Sequence, residues 1–219
     1  MQFSKVDDLI RPDHPELNED DVCLFLREYR AGDGFKGETN SLILNLKKKP
    51  SERRTKGGYH YKAGAISQIA QELRNALNPK WLDHATLVPV PGSKAADHPD
   101  YDDRMEQICR KIRDGADVRN LVIQNNSTDY SHTAAAGERI GVEELTNNYL
   151  INEDAVLPEP KLIGIVDDVL TVGRHFRAMS NVLTQRFPKA KITGIFVART
   201  IRPSPFEEID LTNILNRSI

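Results

Sequence analysis

The sequence predicts an α/β fold in which a largely parallel sheet is flanked by helices. Short apolar runs typical of buried strands alternate with segments whose apolar residues recur every three or four positions, as in amphipathic helices. Glycine, proline and clusters of polar residues separate these segments. With 219 residues and 39% hydrophobic content, the chain is long enough for one substantial domain. Strands that alternate with helices in this way are typical of parallel sheets.

Composition and charge argue against several classes of protein. The formal net charge is -2, so the overall charge does not favour nucleic acid or a membrane surface as the main partner. Cys23 and Cys109 have apolar neighbours and no CxxC spacing, which predicts buried thiols rather than a zinc site or a disulfide. The sequence shows neither a signal-peptide core nor a stretch able to span a bilayer, so we expect a cytoplasmic protein.

The first half of the chain predicts two strands and one helix. Residues 1–20 are polar and acidic and are expected to wrap loosely on the surface, before a strand over Val22–Tyr29. An apolar segment then leads into a lysine run and a basic, glycine-containing loop over Pro50–Gly58. Apolar spacing predicts a helix from Ile66 to Leu77. The run ATLVPVPG that follows is typical of a short strand entering a turn.

The second half repeats the alternation. Apolar spacing predicts helices over Met105–Ile112 and Arg174–Arg186, and the segment TAAAGERIGVEEL predicts another. RNLVIQ, KLIGIV and KITGIFVAR are the predicted strands, and NNSTDYSHT is a predicted exposed loop. Ligands of parallel α/β sheets bind beyond the carboxyl ends of the strands. We therefore expect the loops after ATLVPV, RNLVIQ and KLIGIV to lie on one rim.

Two adjacent carboxylates, Asp167 and Asp168, end the KLIGIV strand. Like charges repel more strongly when buried, so a positive or hydroxyl-rich group is expected opposite them. The helix that follows offers free N–H groups, Gly173 permits close approach, and Thr171 supplies a hydroxyl, which together suit a phosphate. Ionised carboxylates accept hydrogen bonds from a sugar diol. The stretch predicts a cradle for ribose 5-phosphate, with the phosphate between Thr171 and His175.

The stretch VDDVLTVGRH resembles the signature loop of the type I phosphoribosyltransferases, in which two acids, two apolar residues and Thr-Thr-Gly precede a closing Thr or Ser. The resemblance implies binding of phosphoribosyl pyrophosphate (PRPP) with Mg²⁺, and exchange of its pyrophosphate for a base or amine. Val172 and His175 stand where that family has hydroxyl side chains. The residues that the resemblance assigns to PRPP here are Asp167, Asp168, Val169, Leu170, Thr171, Val172, Gly173, Arg174 and His175.

An earlier loop, TLVPVPGSKAADHPDYDDR, is similar to the pyrophosphate loop of the ComF-type, amidophosphoribosyltransferase-like branch of that family. The similarity implies that Pro91, the amides of Gly92 and Ser93, and the charge of Lys94 approach the pyrophosphate. Arg104 would add a second charge. A solvated loop lysine is the ordinary alternative for Lys94. The cysteine pairs often found at the start of that branch are missing.

The resemblance covers roughly Ser41 to Arg199. It divides the chain into an N-terminal extension or hood, residues 1–40, and a phosphoribosyltransferase-like domain, residues 41–219. DYSHTAAAGERIGVEELTNNYLI occupies the place of the flexible catalytic loop, where His132 would contact pyrophosphate unless it is a plain surface histidine. By resemblance, the protein is also expected to form a homodimer.

The catalytic roles implied by the resemblance fall on Asp167, Asp168, Lys94 and His132. No nucleophile is required, because such enzymes act by orienting the substrate and stabilising the departing pyrophosphate. Mg²⁺ would be held by oxygens of the ligand and by water, with Asp167 and Asp168 reaching it through water. The implied Mg²⁺ and the ribose 5-phosphate cradle together predict a transfer site that works without covalent catalysis.

Three functions remain open at this stage. The first is an enzyme that transfers phosphoribosyl to an unidentified acceptor. The second is a non-catalytic regulator or partner protein that binds PRPP or a nucleotide, which the residues at Val172 and His175 favour. The third is an accessory effector acting on nucleotides or RNA, with KKKPSERRTKGG contacting the phosphate backbone. The ordinary alternative for that basic stretch is a solvated loop.

Overall fold

The computed structural model describes residues 1–95, 98–126 and 141–201. The strands in these ranges are β1 (Ser4–Lys5), β2 (Cys23–Arg30), β3 (Ala85–Pro89), β4 (Asp117–Val118), β5 (Val122–Gln124), β6 (Tyr149–Ile151), β7 (Leu162–Leu170) and β8 (Lys191–Ile201). Six of them form one sheet in the order β1-β2-β8-β7-β3-β4. Every neighbouring pair is parallel except β1 and β2. The predicted α/β architecture with a largely parallel sheet is confirmed.

Helices cover both faces of this sheet. They are α1 (Glu38–Leu46), α2 (Tyr61–Ala76), α3 (Pro79–Leu82), α4 (Arg104–Ile112), α5 (Val142–Asn148) and α6 (Arg174–Arg186). Side chains of a strand alternate between faces. Ile165 of β7 accordingly packs in the cluster that contains Phe176 of α6, whereas its neighbour Val166 packs in the cluster that contains Ile69 of α2 and Ile108 of α4. The two clusters form the core.

The predicted helices are present with adjusted ends. α2 begins at Tyr61, earlier than its apolar pattern, and Asn78 caps α3 by accepting a hydrogen bond from the Lys80 amide at 2.9 Å. α1 forms over the apolar segment that precedes the lysine run, where no helix was predicted. The helix predicted over TAAAGERIGVEEL lies mostly outside the described residues, and α5 contains its end. None of the described helices has the length and apolarity needed to cross a membrane.

The strand predicted over RNLVIQ does not join the main sheet, so its assignment to the parallel sheet was wrong, and most of the loop expected on the rim after it lies outside the described residues. β5 pairs instead with β6 in a separate antiparallel ribbon. The main sheet ends at β4, whose Asp117 accepts a hydrogen bond from the Thr86 hydroxyl at 2.7 Å. In β5 Val122 is buried and Ile123 is exposed. That alternation suits a ribbon covered on one face better than a parallel strand covered on both.

The expectation of a loosely wrapped N-terminus was also wrong. Val6 and His14 are fully buried and Leu17 is nearly so. β1 and β2 join the main sheet, β2 through a long parallel pairing with β8. Residues 1–40 thus supply two strands, and the boundary placed after residue 40 falls inside α1. Sparse apolar residues sufficed to anchor this segment because Val6 and Leu17 reach the core and Ile10 packs against it.

Candidate functional site

The pairing of β3 with β7 brings the two predicted ligand loops together. The register sets Pro89 opposite Val166, and the Val90 amide donates to the Val166 carbonyl at 2.9 Å. β7 runs on through both acids to Leu170, so the prediction that they end the strand was wrong; they lie within the strand, beside the start of the loop that follows β3. Between the acids and that loop lies a pocket of about 280 Å³. The polar residues that line it are Lys47, Ser93, Asp102, Arg104, Asp167, Asp168, Thr171 and His175.

Asp168 lies at the centre of this pocket and is only 4% exposed. Its Oδ2 atom accepts hydrogen bonds from Arg104 Nη2 at 2.8 Å and Nε at 3.3 Å, and Lys47 Nζ lies 3.0 Å from Oδ1. Burial alone would raise the pKa of Asp168, but the charges of Lys47 and Arg104 outweigh it and hold that pKa well below its usual range. Asp168 is therefore a permanent anion, and the positive group expected opposite the acids belongs to the protein itself.

Asp167 has a different environment, although it is the adjacent residue. Its Oδ1 atom accepts a hydrogen bond from the backbone N–H of Asp168 at 2.7 Å, and no cation among the described residues forms an ion pair with it. Burial and the negative charge of Asp168 raise the pKa of Asp167. The adjacent acids thus divide into a fixed carboxylate and one that takes up a proton more readily.

A chain of ion pairs continues from Asp168 into the protein. Arg104 Nη1 lies 2.8 Å from Asp102 Oδ2, and Lys62 Nζ lies 2.8 Å from the same oxygen. Lys62 is 6% exposed and also donates to the carbonyls of Leu46 at 2.6 Å and Lys48 at 2.8 Å. Through these bonds Lys62 satisfies carbonyls at the C-terminus of α1, the part of the chain that carries Lys47. Cations and carboxylates alternate along this chain.

The signature loop connects the pocket to α6. Gly173 is the N-cap of α6, with φ of 95°, and has no side chain to satisfy the first N–H groups of the helix. Thr171 and His175 line the pocket, whereas Arg174 turns to Glu16, with Nε 3.3 Å from Oε1. Leu170 packs into the core. The signature loop therefore presents to the pocket the Thr171 hydroxyl, the His175 imidazole and the N-terminus of α6.

His175 is held by Tyr149 of β6, whose hydroxyl lies 2.7 Å from its Nδ1 atom. Burial lowers the pKa of His175, so the ring is neutral at pH 7. A neutral imidazole can donate one hydrogen bond but adds no positive charge. The residue that replaces a hydroxyl side chain at the end of this loop is therefore a weaker partner for a phosphate than a charged histidine would be.

The N-terminal segment clamps the signature loop. His14 Nδ1 hydrogen-bonds to the Thr171 carbonyl, and the Glu16 amide donates to the Val172 carbonyl at 3.0 Å. A Cβ atom at Gly173 would lie 2.8 Å from Leu17 Cδ2, so this position requires glycine for space as well as for its positive φ. None of the clamping residues lines the pocket. The segment therefore fixes the loop without occupying the candidate ligand space.

The pyrophosphate-type loop approaches Asp102 closely. A Cβ atom at Gly92 would lie 2.9 Å from the Asp102 carbonyl oxygen, so only glycine fits. Pro91, Gly92 and Ser93 line the pocket with the acid pair. Lys94 does not; it lines a neighbouring cavity of about 190 Å³ together with Gln124. Among the expected charges, Arg104 therefore reaches the acids, Lys94 is separated from them, and His132 lies outside the described residues.

Sequence reasoning missed four polar members of this site: Lys47, Lys62, Asp102 and Tyr149. Lys47 is one of three consecutive lysines, and no local pattern distinguishes it from Lys48 or Lys49. Asp102 stands two residues before Arg104, and that spacing was the one available signal. Tyr149 lies in β6, far before His175 in the sequence, and only the fold brings the two side chains together.

No protein-family model matches the chain, and no curated protein matches it. The resemblance to the phosphoribosyltransferases therefore rests on its residues alone. Within the described ranges, no group of three or more His, Cys, Asp or Glu side chains is placed to hold a metal ion. Among the described residues, Asp102, Asp167 and Asp168 are the carboxylates that line the pocket, and Asp102 and Asp168 already bond to cations. They suit contacts through water rather than a cage of direct ligands.

Proposed function

We propose that this pocket binds PRPP and that the protein transfers its phosphoribosyl group to an acceptor. One observation carries the proposal: two carboxylates, the N-terminus of α6 and the cations Lys47 and Arg104 converge on a single pocket of about 280 Å³. These groups match the three parts of the ligand, which are a diol, a monophosphate and a pyrophosphate. A site for a neutral sugar would not need the two cations.

Each part of the ligand has a partner of suitable chemistry. The ribose diol donates to Asp168, which is ionised, and to Asp167 in its deprotonated form, because ionised carboxylates only accept hydrogen bonds. The 5-phosphate lies at the N-terminus of α6, near the Thr171 hydroxyl, where unpaired N–H groups favour an anion. The pyrophosphate forms ion pairs with Lys47 and Arg104. These two cations exchange their bonds to Asp168 for bonds to the more highly charged ligand. Binding is therefore an exchange of ion pairs.

In this reaction the protein has to stabilise the pyrophosphate as it departs. Lys47 and Arg104 place positive charge where the pyrophosphate develops its charge, and the clamped loop holds the sugar in one orientation. Mg²⁺, when bound, would neutralise part of the charge of the pyrophosphate. Asp167 and Asp168 would contact its waters. No side chain is required to form a covalent bond with the substrate.

Calorimetry with PRPP in the presence of Mg²⁺ tests the binding step. Thr171→Val keeps the shape of the side chain and removes its hydroxyl, so we expect affinity to fall by about tenfold or more. Thr184→Val, at an exposed position of α6, is the matched control and is expected to bind as the wild type does. Absence of PRPP binding by the wild-type protein would rule the proposal out.

A second candidate is a protein that binds PRPP or a nucleotide without transferring it. The observation that favours it is the neutral His175, which together with Val172 leaves the loop with fewer donors for a phosphate. Release of pyrophosphate from PRPP, measured across a panel of bases, amines and nucleotides, separates the two candidates. Tight binding with no release for any acceptor would favour the regulator over the enzyme.

A further inference from the structure

A second concave surface lies on the other side of Lys62, away from the acid pair. This groove, with a volume of about 610 Å³, runs between the basic loop after α1 and the start of α2. Its basic lining residues are Arg53, Lys56, His60 and Lys62, and no carboxylate of the described residues lines it. Glu52 and Asp102, which stand beside the lining, pair with Lys56 and Lys62, so the exposed Arg53 is the cation of the lining without a carboxylate partner among the described residues. A cleft lined by one sign of charge attracts ligands of the opposite sign.

The cations of the groove keep their capacity to bind an anion. Arg53 is exposed and has no carboxylate partner within 4 Å in the part of the chain that the structure describes. Lys56 pairs with Glu52, one turn earlier on the same exposed loop, at 2.6 Å. Exposed pairs of this kind contribute little and exchange easily. Lys62 is different, since its ammonium group already donates to three partners. An anion would therefore contact Arg53, Lys56 and His60.

The loop that carries these residues is tied to the body of the protein. Lys48 Nζ donates to the Gly58 carbonyl at 2.6 Å and closes the loop across its base. The Ser51 amide donates to Asp100 Oδ1 at 3.0 Å. Buried Lys62 holds the start of the loop through the Lys48 carbonyl. Less conformational entropy is lost when a ligand binds to a loop that is already held.

Aromatic rings stand among the cations. Tyr59 and His60 line the groove, and the exposed ring of Tyr61 lies 4.1 Å from that of His60, between ring centroids. A small phosphate-bearing ligand needs cations but not the rings of Tyr59 and His60 that line this groove. Single-stranded nucleic acids need both, because their phosphates bind cations while their bases stack on aromatic side chains.

We propose that this groove binds single-stranded nucleic acid, with phosphates on Arg53 and Lys56 and a base on Tyr59. The binding does not depend on the PRPP proposal, because none of these three residues lines the pocket. The two surfaces are nevertheless adjacent. Lys62 lines the groove and is bonded to Asp102, which lines the pocket, so a bound strand lies next to the candidate transfer site.

Fluorescence anisotropy with labelled U20 RNA and dT20 DNA, over a series of salt concentrations, tests the proposal. We expect at least one of the two oligonucleotides to bind at physiological salt. Arg53→Ala with Lys56→Ala should weaken binding and reduce the slope of log K against log salt by about 1.4, at about 0.7 per phosphate contact. The control removes two exposed cations elsewhere, with Lys189→Ala and Lys191→Ala, and should leave affinity and slope unchanged.

Tyr59→Leu separates stacking from charge. It should weaken binding by about tenfold while leaving the salt slope unchanged. The proposal is overturned if neither oligonucleotide binds, or if the two double variants weaken binding equally, which would indicate a diffuse field. It is also overturned if Tyr59→Leu has no effect and pyrophosphate displaces the strand, because the groove would then be a site for small anions. A blunt-ended duplex that binds as tightly as U20 would exclude stacking.

Discussion

The candidate pocket and the basic groove adjoin each other at the Lys62–Asp102 ion pair, yet they manage charge in different ways. In the pocket, Lys47 and Arg104 both bond to Asp168. In the groove, Lys56 pairs with Glu52 and Lys62 with Asp102, whereas Arg53 has no carboxylate partner among the described residues. The pocket admits only a ligand that can replace its buried ion pairs, whereas the exposed Arg53 and Lys56 of the groove can bind phosphates at little cost. The comparison predicts a selective site beside a less selective one.

Removing the central carboxylate of the pocket should have the largest effect. Asp168→Asn leaves Lys47 and Arg104 without their shared partner, and removing one member of a buried ion pair costs about 3 to 5 kcal/mol. We expect the free energy of unfolding in urea to fall by that amount at pH 7. Asp114→Asn, at an exposed position without an ion pair in the described ranges, is the control and should change it by less than about 0.5 kcal/mol. Equal stability of both variants would contradict the role assigned to Asp168.

Breaking the link between the two surfaces should have the next largest effect. Lys62→Met keeps an aliphatic chain of similar length but leaves two carbonyls and part of Asp102 without their donor. Each unmet buried group costs about 1 to 3 kcal/mol, so we expect a loss of roughly 2 to 4 kcal/mol in urea unfolding. The affinity for both ligands, PRPP and U20, should also fall, since Lys62 supports both surfaces. A variant that loses only one of them would show that the surfaces are independent.

Gly173→Ala perturbs the pocket and leaves the groove intact. The new Cβ atom would lie 2.8 Å from Leu17 Cδ2, at a φ of 95° that disfavours alanine, so we expect a loss of about 1 to 2 kcal/mol in thermal unfolding and weaker PRPP binding. U20 binding should be unchanged. Gly64→Ala is the matched control: it lies in α2 with open space around it and should stabilise the protein by up to about 1 kcal/mol. Two effects of the same sign would argue against strain at Gly173.

The remaining expected effect has the opposite sign, because it is a stabilisation that depends on pH. Asp167→Asn keeps the oxygen that accepts a hydrogen bond from the Asp168 N–H and removes the ionisable carboxyl group. Burial and the negative charge of Asp168 raise the pKa of that carboxyl group. The folded protein binds the Asp167 proton more tightly than the unfolded chain does, so ionised Asp167 costs stability as pH rises from its unfolded pKa to its folded pKa. We expect the variant to match wild type at pH 4 and to exceed it by about 1 to 3 kcal/mol at pH 8. A difference that is constant with pH would show that the pKa of Asp167 is the same in the folded and unfolded protein.

The parallel sheet and the position of the acid pair were predictable because both depend on local pattern. KLIGIV and the glycine that follows the acids predict a buried strand and a helix start, and β7 and α6 provide them, although β7 continues through both acids to Leu170. The partners of the acids were not predictable, because they come from α1 and α4, far away in the sequence. The second strand of the ribbon was missed for the same reason, since β6 acquires its partner only on folding.

What the sequence determined by itself is the chemistry available at one edge of the sheet: two carboxylates, a threonine and a glycine that opens a helix. What only the tertiary structure decided is how those groups are charged and held. Lys47 and Arg104 make Asp168 a permanent anion, Asp168 in turn raises the pKa of Asp167, and the buried His14 fixes the loop. Electrostatic and packing energies depend on distances through space, and only the folded chain sets those distances.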